Sequence, residues 1–231
     1  EHQRALPYAD LPNFMKQLSA QEGVAARTLE FAILTACRSG EVRGARWEEF
    51  DLDAGIWVVP AERMKAGKEH RVPLSDAARA IVRAQFGASY CEYVFPSSHH
   101  PKPGDDRTGK PLSDMALSGV LRRMEASAVP HGFRSTFRDW CAEQTDYPRE
   151  VAEMALAHVI SNKVEAAYRR GDLIEKRKQL MQDWAAFALR VRNRPAVDFP
   201  GQKLPAPSQL GGLTDLSLES ATAPRWGLPA A

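Results

Sequence analysis

Residues 56–75 read IWVVPAERMKAGKEHRVPLS, and this stretch decides the fold class of the chain. Its first residues, 56–60, and the later group 70–74 are rich in β-branched and apolar side chains, which is typical of short strands. Polar residues and Gly67 separate the two groups, as they do at the tip of a hairpin. Ser75 then stands where a helix N-cap is favoured. The stretch therefore predicts an antiparallel β-hairpin followed directly by a helix.

Helices are predicted on both sides of this hairpin. Ahead of it, apolar residues recur at helical spacing near 7–20 and 24–37, and a short helix is expected through Trp47. Residues 93–95 are a candidate third strand, and the prolines and glycines of 96–110 indicate a loop. Further helices are predicted from 75 to 86 and near 112–125, 134–144, 148–157, 162–170 and 172–192. The expected fold class is mainly α with a small antiparallel β-sheet, that is, α+β.

The composition changes near the carboxyl end of the chain. From Asn193 onward, prolines and glycines recur and no apolar periodicity remains. Such a stretch favours irregular structure, because it offers no apolar face to bury. We therefore expect residues 1–192 to form one domain and residues 193–231 to form a Pro/Gly-rich tail.

Bulk properties leave the partner class open. The 231 residues carry 31 basic and 29 acidic side chains, a net charge of +2, so total charge does not indicate nucleic acid binding. No apolar run is long enough to span a membrane, so we expect no membrane association. The three cysteines are widely spaced and predict neither a disulfide framework nor a metal site. A reducing compartment suits them, and we expect the protein in the cytoplasm.

Two arginines are candidates for binding an anion. Arg134 follows His131 in HGFR and is predicted to open a helix, where backbone N–H groups also favour a phosphate. Arg38 follows an apolar helix, and Glu41 is placed to orient its guanidinium. Taken alone, each residue is more simply explained as a surface charge or as compensation of a helix dipole.

Three further residues could take part in proton or group transfer. Lys65 lies at the predicted hairpin tip, from which it could donate a proton to a leaving oxygen. Lys68 competes with it on composition alone. His158 is followed ten residues later by Tyr168, whose hydroxyl is a weak nucleophile until positive charge stabilises its attack. Each of these residues also has an ordinary explanation as a solvated or half-buried side chain.

The order of these residues resembles that of the tyrosine recombinase (phage integrase) family. The segment TACRSGE, residues 35–41, is similar to the family's TGxRxxE, and HGFR, residues 131–134, matches its HxxR pair. Lys65 lies eight residues before Pro73, which is the spacing of the family's hairpin lysine, whereas Lys68 does not have it. LAH, residues 156–158, is similar to the family's LGH, and Tyr168 in VEAAYRR matches its nucleophile.

The resemblance covers about residues 7–190 and departs from the family at two positions. Ala36 and Ala157 stand where glycine is common. Both side chains are small, and we expect them to be tolerated. The motif sequences most resemble those of prophage and genomic-island integrases.

The resemblance implies a site and a reaction. Tyr168 would attack the scissile phosphate and form a 3′-phosphotyrosyl link, while Arg38 and Arg134 hold its non-bridging oxygens. His131 would bind the phosphate and assist proton transfer, His158 would donate a hydrogen bond to it, and Lys65 would protonate the 5′ leaving oxygen. The implied catalytic set is Arg38, Lys65, His131, Arg134, His158 and Tyr168. Because the covalent link retains the bond energy, no metal, ATP or other cofactor is expected.

The resemblance also implies partners. These are double-stranded DNA attachment sites and further copies of the protein, assembled as a tetramer on DNA. The family's upstream core-binding domain has no match here, so the chain is expected to be the catalytic domain without it.

Three other functions stay open at this point. A type IB topoisomerase-like enzyme uses similar chemistry but rejoins the original strand. A DNA-binding accessory protein would need no working site, although the complete set of six residues argues against decay. A metal-dependent nuclease could use residues of the 96–110 loop, namely His99, His100, Asp105 and Asp106, but their spacing is not that of a metal site.

Overall fold

The computed structural model describes residues 4–86, 91–97, 109–158 and 172–190, all within one compact unit, and its helices and strands confirm the predicted fold class. The helices of these residues are α1 Leu11–Ser19, α2 Val24–Thr35, α3 Ser39–Arg43, α4 Asp76–Phe86, α5 Ala116–Arg123, α6 Gly132–Gln144, α7 Arg149–Ala155 and α8 Ile174–Leu189. The strands are β1 Phe50–Asp51, β2 Ile56–Val59 and β3 His70–Pro73. Short 3₁₀ turns occupy Tyr8–Asp10, Trp47–Glu49 and Ala61–Arg63. The helix predicted at 162–170 and the tail predicted at 193–231 lie outside the described residues and stay predictions.

The predicted hairpin is present as β2 and β3. These strands pair antiparallel, with Trp57 opposite Val72 and Val59 opposite His70. β1 completes a three-stranded sheet of order β1-β2-β3. Ser75 accepts a hydrogen bond from the Ala78 N–H at 3.3 Å, which agrees with its expected role as the cap of α4.

The third strand was predicted in the wrong place. It is β1, whereas Tyr93 makes only an isolated bridge with Arg46. Val94 and Phe95 are fully buried, and the Val94 N–H donates to the Ala45 carbonyl at 2.9 Å. Three consecutive apolar residues can be buried and form a single bridge without becoming a strand of the sheet. The sequence alone does not distinguish this arrangement from a strand.

The core is organised around α2. This helix is buried along almost its whole length, because its apolar residues are too continuous to leave a polar face. On one side, Phe31 packs against Trp57 of β2 with ring centroids 5.6 Å apart. On another, Trp184 of α8 donates its indole N–H to the Ile33 carbonyl at 2.8 Å. These contacts hold the last turns of α2 in place. The residues that follow, Ala36 to Arg38, belong to the candidate active site.

The first described residues lie against the beginning of α6. The Val129 N–H donates to the Arg4 carbonyl at 3.0 Å, and Thr136 Oγ1 donates to the Leu6 carbonyl at 2.6 Å. A Cβ atom on Gly132 would overlap the Arg4 carbonyl. The glycine of HGFR therefore allows a close backbone approach.

Among the described residues, no helix combines the length and the apolar character that crossing a membrane requires.

Candidate active site

Arg134 is the centre of the site. It lies in the first turn of α6 and only 5% of it is exposed. Nη1 donates to the Ala36 carbonyl at 2.5 Å, and Nη2 donates to the Leu156 carbonyl at 2.6 Å. Nη2 also lies 3.1 Å from Nε2 of His158. Two carbonyls from distant segments thus fix the guanidinium plane.

The charge of Arg134 is held in place without being neutralised. Burial lowers the pKa of Arg134, and the nearby Arg38 lowers it further, yet a guanidinium stays protonated in proteins. Its hydrogen-bond partners in the described part of the chain are carbonyls and an imidazole, not carboxylates. A buried cation without a directly bound carboxylate favours an anion at this place.

Left-handed turns present both carbonyls to Arg134. Ala36, with φ of 52°, ends α2, and Ala157, with φ of 50°, follows Leu156 after α7. These are the two positions at which the sequence departs from the glycine of the family. We expected alanine to be tolerated because it is small, but backbone conformation is the stronger reason for glycine here. A left-handed non-glycine residue costs about 1–2 kcal/mol.

Arg38 is oriented by Glu41, as the sequence predicted. The backbone N–H of Arg38 donates to Glu41 Oε2 at 2.9 Å, and Nη1 donates to Oε1 at 2.8 Å. The Glu41 side chain is 4% exposed and that of Arg38 is 25% exposed. The Glu41 carboxylate therefore fixes one edge of the Arg38 guanidinium, and part of the Arg38 side chain is exposed to solvent.

His131 stands directly before α6 and borders the same space. Burial lowers the pKa of His131, and the positive charges of Arg134, Arg38 and His158 lower it further. These charges act on one another only because the groups are close. The structure thus brings together four of the predicted side chains, namely Arg38, His131, Arg134 and His158. Because its pKa is lowered from the ordinary 6.5, His131 is neutral at pH 7.

His158 is held by a residue that sequence analysis did not single out. Its Nδ1 lies 2.6 Å from Oε2 of Glu153, and its backbone N–H donates to the Glu153 carbonyl at 3.0 Å. Glu153 lies five residues earlier, in α7. A glutamate among several in an amphipathic helix gives no distinctive sequence signal, so this partner could be found only from the structure.

Lys65 is exposed on a well-anchored hairpin. Met64 is buried just before it, and Arg63 pairs with Glu49 and donates to the Glu41 carbonyl. Gly67 makes the turn with φ of 62°. Within the described residues, no hydrogen bond or ion pair joins Lys65 to the four grouped side chains. Its part in the site stays a prediction.

Tyr168 lies outside the described residues, as do the four residues of the nuclease alternative. The described residues on either side of Tyr168 end at His158 and resume at Asp172. Asp172 pairs with Arg71 of β3 at 3.0 Å. Arg177, only 2% exposed, donates to the Asp172 carbonyl at 3.3 Å and to the Arg71 carbonyl. The two described ends of this segment are therefore fixed at the Arg134 cluster and at the hairpin.

His70 is a second buried group that sequence analysis missed. The ring hydrogen-bonds the Ala155 backbone, and Nε2 is buried without a partner in the described part of the chain. Burial and the nearby charges of Arg177, Arg134 and Arg38 lower its pKa to about 3. A histidine in a strand has no sequence signature that separates this environment from an exposed one.

The arrangement is suited to binding a phosphate. Arg38 and Arg134 supply fixed positive charge, and His131 and His158 supply hydrogen-bonding groups at the same place. Such preorganised donors stabilise charge that develops on phosphoryl oxygens in a transition state.

Comparisons with known proteins agree with this chemistry. Residues 5–173 match the model of the phage integrase family. The chain is 36% identical over 180 residues to prophage integrase IntA of Escherichia coli strain K12, covering 76% of this chain and 42% of that protein. It is 31% identical over 212 residues to the integrase of Enterobacteria phage P4, covering 84% of this chain and 47% of that protein. The chain thus spans about half the length of these relatives.

Solved structures show the same fold. The integrase from mycobacterium phage Brujita superposes with a TM-score of 0.57 at 15% identity, over 82% of this chain and 61% of that one. A lambda integrase(75-356) dimer bound to a COC′ core site gives a TM-score of 0.51 at 16% identity, over 68% of this chain and 58% of that one.

Proposed function

Because the chain belongs to the phage integrase family, we propose that it is the catalytic domain of a site-specific DNA recombinase of the prophage or genomic-island type. It cuts and rejoins DNA strands through a 3′-phosphotyrosyl intermediate. The observation that carries this proposal is the Arg134 guanidinium, held by two carbonyls beside Arg38, His131 and His158. This is a site for a phosphodiester.

The two arginines bind the non-bridging oxygens of the scissile phosphate. Each neutralises charge that grows as the phosphorus becomes five-coordinate, and neither has to move, because Glu41 and the two carbonyls already hold them. Removing one such preorganised donor costs about 3 kcal/mol of transition-state stabilisation, or roughly 100-fold in rate.

The transfer itself uses the remaining residues. The Tyr168 oxygen attacks phosphorus, the P–O5′ bond breaks, and a 3′-phosphotyrosyl link replaces it. Neutral His131 can accept the proton of the tyrosine, and Lys65 donates a proton to the 5′ oxygen. A 5′-hydroxyl from another strand then reverses these steps. No metal and no ATP enter this balance.

The partner is double-stranded DNA carrying an attachment site. The lambda integrase structure, which shares the fold, is a dimer on a core site. We propose that this chain works within a tetramer on DNA in the cytoplasm, together with a core-binding domain that lies outside the sequence.

A trapping assay tests the proposal. The 231-residue chain is incubated in EDTA with a nicked substrate that carries the attachment site of its parent element, and a covalent adduct is sought on a denaturing gel. We expect an adduct that Tyr168→Phe abolishes. Tyr147→Phe is the matched control, because Tyr147 donates to Asp183 at 2.6 Å away from the phosphate site.

The other outcomes identify the alternatives. DNA binding without an adduct would favour an accessory binding protein, and cleavage only with added metal would favour a nuclease. Relaxation of a supercoiled plasmid that lacks the site, without transfer to a second strand, would favour a topoisomerase. Transfer to a new 5′-hydroxyl strand is the result expected of a recombinase.

The role of Lys65 is tested with a modified leaving group. A substrate whose 5′ oxygen is replaced by sulfur releases a thiolate, which needs no proton donor because a thiol ionises near pH 8.5. Lys65→Ala should slow cleavage of the oxygen substrate and leave the sulfur substrate almost unaffected. Lys68→Ala, on the same hairpin, should change neither rate; equal loss on both substrates would contradict the proton-donor role.

A further inference from the structure

We propose that Glu153 is a positioning residue for this reaction, which holds His158 so that its Nε2 faces the scissile phosphate. The inference rests on the proposed function and extends it to a residue outside the family motifs that the sequence displays. It is carried by the contacts around His158, by the burial of Glu153 and by the charges that surround its carboxylate.

Glu153 fixes His158 at two points. Its carboxylate oxygen Oε2 lies 2.6 Å from the ring Nδ1, and its backbone carbonyl accepts the His158 N–H at 3.0 Å. The histidine side chain is 40% exposed, whereas that of Glu153 is 16% exposed. An exposed imidazole after a left-handed residue has several rotamers open to it, and these two contacts select one.

The carboxylate is itself held in place. Arg138 of α6 places Nε 3.0 Å from Glu153 Oε1, and Arg149 places its Nε 3.7 Å from the same oxygen. Burial alone would raise the pKa of Glu153, but the His158 hydrogen bond and the charges of Arg138, His158 and Arg149 outweigh it and lower the pKa. Glu153 is therefore an ionised, preorganised acceptor at neutral pH.

The consequence for the reaction lies at the other ring nitrogen. With Nδ1–H donated to Glu153, Nε2 is left on the side of Arg134, 3.1 Å from Nη2. A carboxylate behind an imidazole fixes its tautomer and orientation and balances its charge when both nitrogens carry hydrogen. In the neutral ring, Nε2 accepts from Arg134 Nη2. In the protonated ring, Nε2 gives up this contact and can donate to a phosphate oxygen that Arg134 also binds.

The test is a double-mutant cycle on cleavage. Single-turnover rates on the nicked substrate are measured for wild type, Glu153→Gln, His158→Asn and the double variant, with DNA affinity measured by band shift. We expect Glu153→Gln to slow cleavage about 10–100-fold at unchanged affinity, the usual effect of losing an orienting partner. In the His158→Asn background, the same change should alter the rate by less than about twofold, since Glu153 acts through His158.

Two variants complete the design. Asp139→Asn changes the charge of exposed Asp139 on α6 by the same amount and should cleave like wild type. Glu153→Asp keeps the carboxylate one methylene further away, and its rate should lie between wild type and Glu153→Gln; if Glu153→Gln does not fold, the cycle is run with this variant.

The outcomes separate this inference from the proposed function. An adduct in wild type with an unchanged rate in Glu153→Gln, or losses that add in the double variant, overturns the positioning role alone. A wild-type chain that binds the site and forms no adduct overturns the proposed function and this inference together.

Discussion

Replacing Ala157 by glycine should stabilise the protein. Ala157 has φ of 50° and lies between Leu156, whose carbonyl binds Arg134, and His158. Relief of the left-handed strain contributes about 1–2 kcal/mol. The greater freedom of glycine in the unfolded chain offsets about 0.4–1 kcal/mol of this gain. At the midpoints of these two ranges, the net increase in the free energy of unfolding is about 0.8 kcal/mol.

The same substitution at Ala36 should give much less. Its φ is 52°, but its methyl group is 1% exposed, and deleting one buried methyl loses about 0.8 kcal/mol. That loss cancels most of the gain, so Ala36→Gly is expected to be close to neutral. The two sites therefore share a backbone conformation and differ in burial.

Thermal unfolding followed by circular dichroism measures the difference. Ala157→Gly should raise Tm by about 1–4 °C, at the usual 2–4 °C per kcal/mol for a chain of this size. Ala80→Gly, at an exposed position inside α4, is the control and should lose about 1 kcal/mol. A drop in Tm for Ala157→Gly similar to that of the control would refute the argument from the left-handed turn.

Three further perturbations test other parts of the structure. Since the pKa of His70 is lowered to about 3, below its ordinary 6.5, the unfolded chain binds the extra proton, and stability present above pH 6.5 is lost as pH falls toward 3. Urea titrations at pH 7 and 5 should show this loss, and His70→Gln should reduce it. Arg177→Met leaves the carbonyls of Arg71 and Asp172 without their donor and should cost about 1–3 kcal/mol in urea unfolding. Gly132→Ala should lower the free energy of unfolding by about 1–3 kcal/mol and expose residues 4–6 to proteolysis, because its Cβ overlaps the Arg4 carbonyl. Gly119→Ala inside α5 is the control. The nearest atom to its Cβ is 3.9 Å away, so this substitution should stabilise the protein.

Local patterns predicted most of the fold. The helices and the β2–β3 hairpin follow from apolar periodicity and turn residues, which act over a few positions. The third strand does not, since 93–95 and β1 are both too short to show a period. Its place depends on which segment reaches the edge of β2, and that is decided by packing of the whole chain.

For the candidate site, motif spacing could predict which described residues lie together but not the groups that hold them, and the catalytic roles of these residues stay predictions. Motif spacing singled out Arg38, Arg134 and His158, and the structure brings them together. Motif spacing gave no indication that backbone carbonyls hold Arg134, because every residue has a backbone carbonyl. Glu153 was missed for a similar reason, since its importance comes from a contact and not from a pattern.

The tethering of Arg134 has a consequence for chain synthesis and quality control. One of its two carbonyl anchors lies 98 residues earlier in the sequence and the other lies 22 residues later. Such long-range contacts form late, after the intervening chain has paid its loop-closure entropy. A nascent or partly unfolded chain therefore holds its arginine loosely and lacks a competent phosphate site. We therefore expect the proposed phosphate site to form only when the whole domain is folded.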